Sequence, residues 1–270
     1  AGVRHESAQK RATAASTFIP PTLYGVGLVE AIPEEQILAF ERAQGRSGGD
    51  VAGRAARTAD GRVTRFGRKA EFATLAELVE GAVGTEIGLT TPSNPTEQTL
   101  NGRPLPPGTD PVADPEVTQA MLDALADYIR LLAPPAREPA TGASRDTLAR
   151  GERLFDRMGC ADCHVARMTT GSNARPSLAH RSVSLYSDLL LHDMGPALAD
   201  VCTPTAAPNF WRTAPLMGIH LRTMYLHDGR ARTIDAAILA HDGESRKSRD
   251  EYVRRDPAER NLLLRFVRSL

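Results

Sequence analysis

Cys160, Cys163 and His164 fall within "CADCH", and Cys202 is the only other thiol in the chain. Two thiols at i and i+3 lie on one side of a helical turn, where three chemistries compete for them. A redox pair of the thioredoxin kind needs a βαβ setting, and no strand pattern precedes this segment. A structural zinc site needs a fourth ligand and usually a second paired motif, for which Cys202 alone is a weak candidate. Haem c attachment needs two thiols at this spacing to form thioethers to the vinyl groups, with an adjacent histidine to reach the iron. The spacing therefore favours haem c: one covalent haem on Cys160 and Cys163, with His164 as an iron ligand.

A second axial ligand can be sought by the face it stands on. Residues 234–241 read as a short helix capped by Thr233. On it Ile234, Ile238 and His241 recur at i, i+4 and i+7, which makes one apolar face ending in an imidazole. His241 is the expected ligand; the alternative is a surface cap answering the helix dipole. Met194, Met217 and Met224 are the thioether candidates, each otherwise a core residue. His192 reads as a capping or packing residue and Cys202 as an inert small side chain. Arg230 and Arg232 read as a solvated face or as partners for a haem propionate.

The elements that must position these groups read mostly as helices. "SRDTLARGERLFDRMG" leads straight into Cys160, with Gly151 leaving room for close helix packing and Phe155 offering an aromatic contact near a haem edge. "DPAERNLLLRFVRSL" closes the chain, capped by Asp256 with Pro257 and Glu259 behind it. Its buried face is Leu262, Leu263, Phe266, Val267 and Leu270. Upstream, Pro33 with Glu34 and Glu35 starts a helix, and Thr74 with Glu77 forms a capping box. Residues 115–132 form the clearest helix of the first half. Asp114 is its cap, and Val117, Met121, Leu125, Tyr128, Ile129 and Leu132 are its apolar stripe. Residues 45–70 and 90–113 read as long loops, "VSLYSDLLLHDMG" as a short helix or turn. Strand signals are weak, so the fold class expected is all-α. A polar arm (1–19) and a helical N-terminal lobe (20–133) come first. A Pro-rich linker (134–143) and a cytochrome-c-like domain (144–270) follow.

The bulk composition excludes some classes. Lys and Arg number 33 against 33 Asp and Glu, so no charge excess favours nucleic acid or an acidic membrane surface. No apolar run is long enough to span a bilayer. Three cysteines do not make a disulfide scaffold. A start at Ala1 fits a processed or excised chain, and covalent haem implies maturation outside the cytoplasm, so a periplasmic or secreted protein is expected. Aromatic residues are only 5%, and a haem would supply apolar bulk that such a core lacks.

Several longer stretches carry a family resemblance. "LYGVGLVEAIPEEQIL", "PEVTQAMLDALADYIRLLAPPAR", "YSDLLLHDMGPALAD", "WRTAPLMGIH" and "LHDGRARTIDAAILAHDGE" resemble the di-haem oxidoreductases described as thiol oxidoreductases or peroxidases. These are relatives of bacterial di-haem cytochrome c peroxidase. The resemblance runs from about Pro20 to the C-terminus. It implies two cytochrome-c-like domains, each with its own Cys-x-x-Cys-His, and electron transfer from a small redox donor protein toward an oxidant such as peroxide. Only the second motif is present here. The first is expected before residue 1, lost, or on another polypeptide. The resemblance also places an Asp/Gly-rich cation loop near residues 41–70, but "ERAQGRSGGDVAGRAARTADGR" has few acids among many arginines, which argues against calcium there. It implies a path-lining role for Trp211, against the plainer reading of a packing anchor. It gives His227 of "HDG" a contact with a haem propionate or a place closing a turn. It sets His241 where the peroxidases carry a methionine ligand. The function expected is electron transfer within a di-haem oxidoreductase, with a non-catalytic cytochrome subunit as the alternative.

Overall fold

A computed structural model describes residues 14–97, 105–137 and 145–270; the stretches 1–13 and 138–143 of the expected arm and linker lie outside them. The first half contributes α1 (Val26–Glu30), α2 (Glu34–Ser47), α3 (Leu75–Ala82) and α4 (Gln119–Arg130). The second half contributes α5 (Arg145–Arg157), α6 (Ile234–Leu239), α7 (Arg246–Arg254) and α8 (Pro257–Arg268).

The fold is not all-α. Among the described residues β1 (Met168–Thr169) pairs antiparallel with β2 (Ser182–Val183), and β3 (Leu191–Asp193) with β4 (Phe210–Arg212). Long irregular stretches connect them. Strands of two or three residues are too short to show a period of two, so the sequence pattern could not reveal them. The "LLLHDMG" stretch, expected as a helix or turn, holds β3 instead. Its partner β4 is drawn from the Pro-rich segment around Trp211.

Helix starts follow local chemistry. The Thr74 hydroxyl accepts from Glu77 N at 3.2 Å while Glu77 returns the bond to Thr74 N at 3.3 Å, a complete capping box. Asp256 accepts from Ala258 N and Glu259 N at 2.8 and 2.9 Å at the head of α8. The exception is α4, which begins at Gln119 under a Thr118 cap and not after Asp114. Asp114 bonds the Thr90 hydroxyl, and Glu116 and Val117 also bond Thr90. Residues 114–117 are thereby tied to a loop and not released to the helix. The expected stripe is met in part. Val117 and Ile129 are buried with Val79 and Val83, joined by Leu122 and Ala126, while Met121, Leu125 and Tyr128 are 57%, 40% and 66% exposed.

The largest buried cluster joins the two halves. Val29, Ile32, Ile37, Val63 and Leu75 meet Met168, Val183, Leu185, Leu189 and Leu190. A second core gathers Leu154, Phe155, Met158, Tyr186, Ile234, Tyr252, Leu263, Phe266 and Leu270, with Cys160 and Ile238 packed against it. At its centre α5 crosses α8 closely. A Cβ on Gly151 would come within 2.4 Å of Leu262 O and 2.6 Å of Phe266 Cβ, so only glycine permits this approach.

Candidate haem site

α5 delivers the motif directly to this second core. After Gly159, whose φ of +78° ends the helix, residues 160–162 form one 3₁₀ turn. His164 N then bonds Cys160 O at 2.9 Å, which holds the histidine one turn from the first thiol. Phe155 packs edge-on to the His164 ring, with centroids 6.2 Å apart.

Two imidazoles are arranged alike. His164 Nδ1 lies 2.9 Å from Tyr186 O, and His241 Nδ1 lies 2.7 Å from Ala237 O. A carbonyl oxygen only accepts, so in each ring Nδ1 carries the hydrogen and Nε2 keeps its lone pair. Burial pushes His164 down to about 4, opposed by the Tyr186 carbonyl and helped by the nearby charge of His241. Burial also holds His241 below the ordinary histidine range. Both rings are therefore neutral at pH 7. They are close enough for one to depress the proton affinity of the other, and each presents Nε2 as a free donor. An imidazole fixed through Nδ1 is the usual form of a metal-ligating histidine.

The thiols are free and partly buried. Burial pushes Cys160 up to about 12 and raises Cys163 as well, so neither is a reactive thiolate at pH 7. That disfavours the redox-pair reading. The donor set instead fits a covalently held haem: two thiols for thioethers and two neutral imidazoles, beside a core containing Ile234, Ile238 and Phe155.

Beside Cys163 stands a buried ionic network that sequence reading missed. His192 is 2% exposed and donates from Nδ1 to Glu244 at 2.7 Å and from Nε2 to Asp188 at 2.9 Å. Cys163 Sγ is 3.7 Å from the same Nδ1. Gln44 Nε2 donates to Asp188 Oδ2 and Asp162 O, both at 2.9 Å, and Gln44 Oε1 accepts from Gly53 N at 2.8 Å. Burial opposes charge on His192, but the bonds to Asp188, Cys163 and Glu244 raise it to about 12. A thioether at Cys163 would remove the thiol's share and leave both carboxylates in place. Burial is the largest influence and acts to raise Asp188 and Glu244, but His192 together with Leu190 N and Gln44 at the first, and with Asp193 N and Ala52 N at the second, outweighs it, so both sit below the usual carboxylate range. A plain capping or packing role for His192 understates this: it is an imidazolium clamped between two buried acids. The i,i+4 spacing of Asp188 and His192 was the only local signal, and Glu244 and Gln44 arrive from distant segments.

The remaining candidates are dispersed. Trp211 stands opposite His192 in the β3–β4 ladder and stacks on His227 with centroids 4.0 Å apart and planes 15° apart. His227 Nε2 is 3.5 Å from Asp200 Oδ2. The Met217 methyl is directed at Gly25, the Met224 sulfur at Gly229, and the Met194 sulfur lies 3.8 Å from Ser245 Oγ. Cys202 is exposed, Arg230 bonds Asp228 and Ala197 O, and Arg232 is exposed. Glu97, Asp110 and Asp114 bring carboxylates together outside the expected cation loop, in an arrangement that exposed acidic groups often show without an ion.

Residues 14–270 match the family model described as "Di-haem oxidoreductase, putative peroxidase", and the chain belongs to that family. Membership brings a haem cofactor and a haem-dependent electron-transfer or peroxidase role. Among solved structures, hydrazine synthase from Kuenenia stuttgartiensis is 21% identical, over 56% of this chain and 55% of its own, with a TM-score of 0.41. The chain thus spans about half the length of that relative. A MauG-like protein associated with microbial copper homeostasis is 16% identical over 98% of this chain and 95% of its own, also with a TM-score of 0.41. No curated protein matches the chain. Among the described residues no helix is long and apolar enough to cross a membrane.

Proposed function

We propose that this chain carries one covalent haem c and serves the electron-transfer half of a di-haem, peroxidase-type oxidoreductase. Cys160 and Cys163 hold the haem by thioethers, and His164 and His241 ligate the iron through Nε2. The single observation that carries this reading is the matched pair of imidazoles, each fixed through Nδ1 to a backbone carbonyl and each neutral. The bound haem supplies one-electron chemistry. The chain's own residues fix ligand orientation, keep both imidazoles unprotonated and hold the thiols in a mainly apolar surround. Residues 20–133 and 144–270 act as two lobes over a shared core, and maturation takes place outside the cytoplasm. A small redox protein is the donor, and a second haem-bearing segment or chain handles the oxidant.

The alternative of a non-catalytic cytochrome subunit is favoured by one observation, the single Cys-x-x-Cys-His in this sequence. Intact mass and a pyridine haemochrome assay test the central claim. One haem per chain is expected, and Cys160→Ala with Cys163→Ala abolishes covalent attachment; a mass equal to the bare polypeptide overturns it. Peroxide turnover separates the two functions. With His164 and His241 both given to the iron, no coordination site would remain for peroxide, so the isolated chain is expected to turn it over slowly. Turnover appearing when a second haem-bearing partner is added supports the enzyme, and its absence with the native partner supports the carrier.

A further inference from the structure

Lys69 belongs to the Arg-rich stretch that reads as a long loop, and it is 2% exposed. Its Nζ donates to three backbone carbonyls, Ala207 O and Pro208 O at 2.8 Å and Phe210 O at 3.0 Å. An ammonium has three N–H donors, and here every one is used. The same nitrogen lies 4.2 Å from the centre of a Trp211 ring. Among the described residues no carboxylate comes within ion-pair distance of it. Asp200 and Glu71 act on it only from farther off, and burial lowers its proton affinity. Carbonyl dipoles and an indole face therefore compensate this charge in place of an acid. The carboxylates near Trp211, Asp200 and Asp228, are directed at His227 Nε2, at 3.5 and 4.0 Å.

This seat bears on what Trp211 can do. Indole loses one electron to give a radical cation, which becomes a neutral radical only if the N–H proton leaves. Trp211 Nε1 donates to Leu198 O at 2.8 Å, and a carbonyl is no base for that proton. An oxidised Trp211 would thus keep its positive charge beside a fixed ammonium, where like charges in a partly buried setting repel strongly. We propose that Lys69 is a positioning residue that guards Trp211: it locks the ring beside His227 and withholds it from one-electron oxidation. Trp211 then serves as packed medium between neighbours and not as a place where an oxidising equivalent rests.

Trp211 is the only tryptophan in the chain, so any indolyl signal is its own. The experiment uses the haem-loaded chain and azide radical made by pulse radiolysis. That radical takes one electron from indole and becomes azide anion. Transient absorbance reads the indolyl yield, with N-acetyltryptophanamide as reference. Two neutral replacements are compared, Lys69→Met and Lys69→Gln; the amide of the second can still donate to two carbonyls if the first fails to fold. Lys69→Arg keeps the charge. Expected are a low yield in wild type and Lys69→Arg and a several-fold rise in the neutral variants. A wild-type yield equal to that of the reference overturns the proposal, as does a folded neutral variant with no rise.

Discussion

Replacing His192 by leucine removes the cation that holds Asp188 and Glu244 together while keeping apolar volume. The side chains of His192 and Asp188 are 2% and 0% exposed and that of Glu244 is 12% exposed, so the two carboxylates would face each other with little water. Breaking a buried pair by removing one partner costs about 3–5 kcal/mol. The lower end applies here because each acid keeps other donors. Asp188 retains Gln44 Nε2 at 2.9 Å and Leu190 N at 3.0 Å, and Glu244 retains Ala52 N at 2.9 Å and Asp193 N at 3.0 Å. At roughly 2–4 °C per kcal/mol for chains near this size, ~3 kcal/mol lowers Tm by ~6–12 °C at pH 7. The pH dependence carries the sharper test. In the wild type both acids are depressed, so their contribution is present above the ordinary carboxylate range and is lost as pH falls through their folded values. His192 is raised by its two carboxylate partners, so its contribution is complete below its unfolded value near 6.5 and is lost only as pH climbs through its raised folded value. In the variant the acids repel, and protonating one relieves them. The gap between wild type and variant therefore narrows from pH 7 to pH 4. Thermal unfolding followed by far-UV circular dichroism measures it. A Tm within 2 °C of wild type, or a gap that widens on acidification, would refute the reasoning.

Three further outcomes are expected. His241→Ala leaves one axial position open, so the ferric spectrum becomes high-spin and cyanide binds quickly; a six-coordinate low-spin spectrum with a methionine charge-transfer band would return attention to Met194, Met217 or Met224. Gly151→Val drives a side chain into Leu262 O and Phe266, separates α5 from α8 and costs ~1–3 kcal/mol, read by denaturant titration, with loss of haem attachment as a second sign. Asp256→Ala removes the cap of α8 and costs ~1 kcal/mol in the same titration.

The parts legible in the sequence are those governed by neighbours along the chain. The helix over 257–268, its Asp256 cap and the capping box at Thr74 depend on contacts within one turn, and spacing alone reveals them. Gly151 could be read as a close-packing site because it lies on the same helix as the haem motif. Helical period places Ile234 and Ile238 on one face, but α6 ends at Leu239, short of the expected 241, and His241 follows in the turn, where the Ala237 carbonyl orients its ring. What could not be read depends on distant segments. His192 gains its meaning from Glu244 and Gln44, which no spacing rule connects to it. Lys69 turns inward because carbonyls of 207–210 receive it, whereas its surroundings in sequence are those of a solvated loop. β3 and β4 exist only through their pairing, and α4 starts late because Thr90, far upstream, holds residues 114–117.

The crossing of α5 with α8 sets an order of events during biosynthesis. α5 leads into the cysteines, but the surface it rests on is α8, which lies far downstream in the sequence. While the polypeptide emerges, Cys160 and Cys163 appear long before the helix that buries the segment beside them. Through that interval both thiols stand on an unfinished, open segment, within reach of any agent that must modify them. Docking of α8 then closes the seat around the segment that carries them.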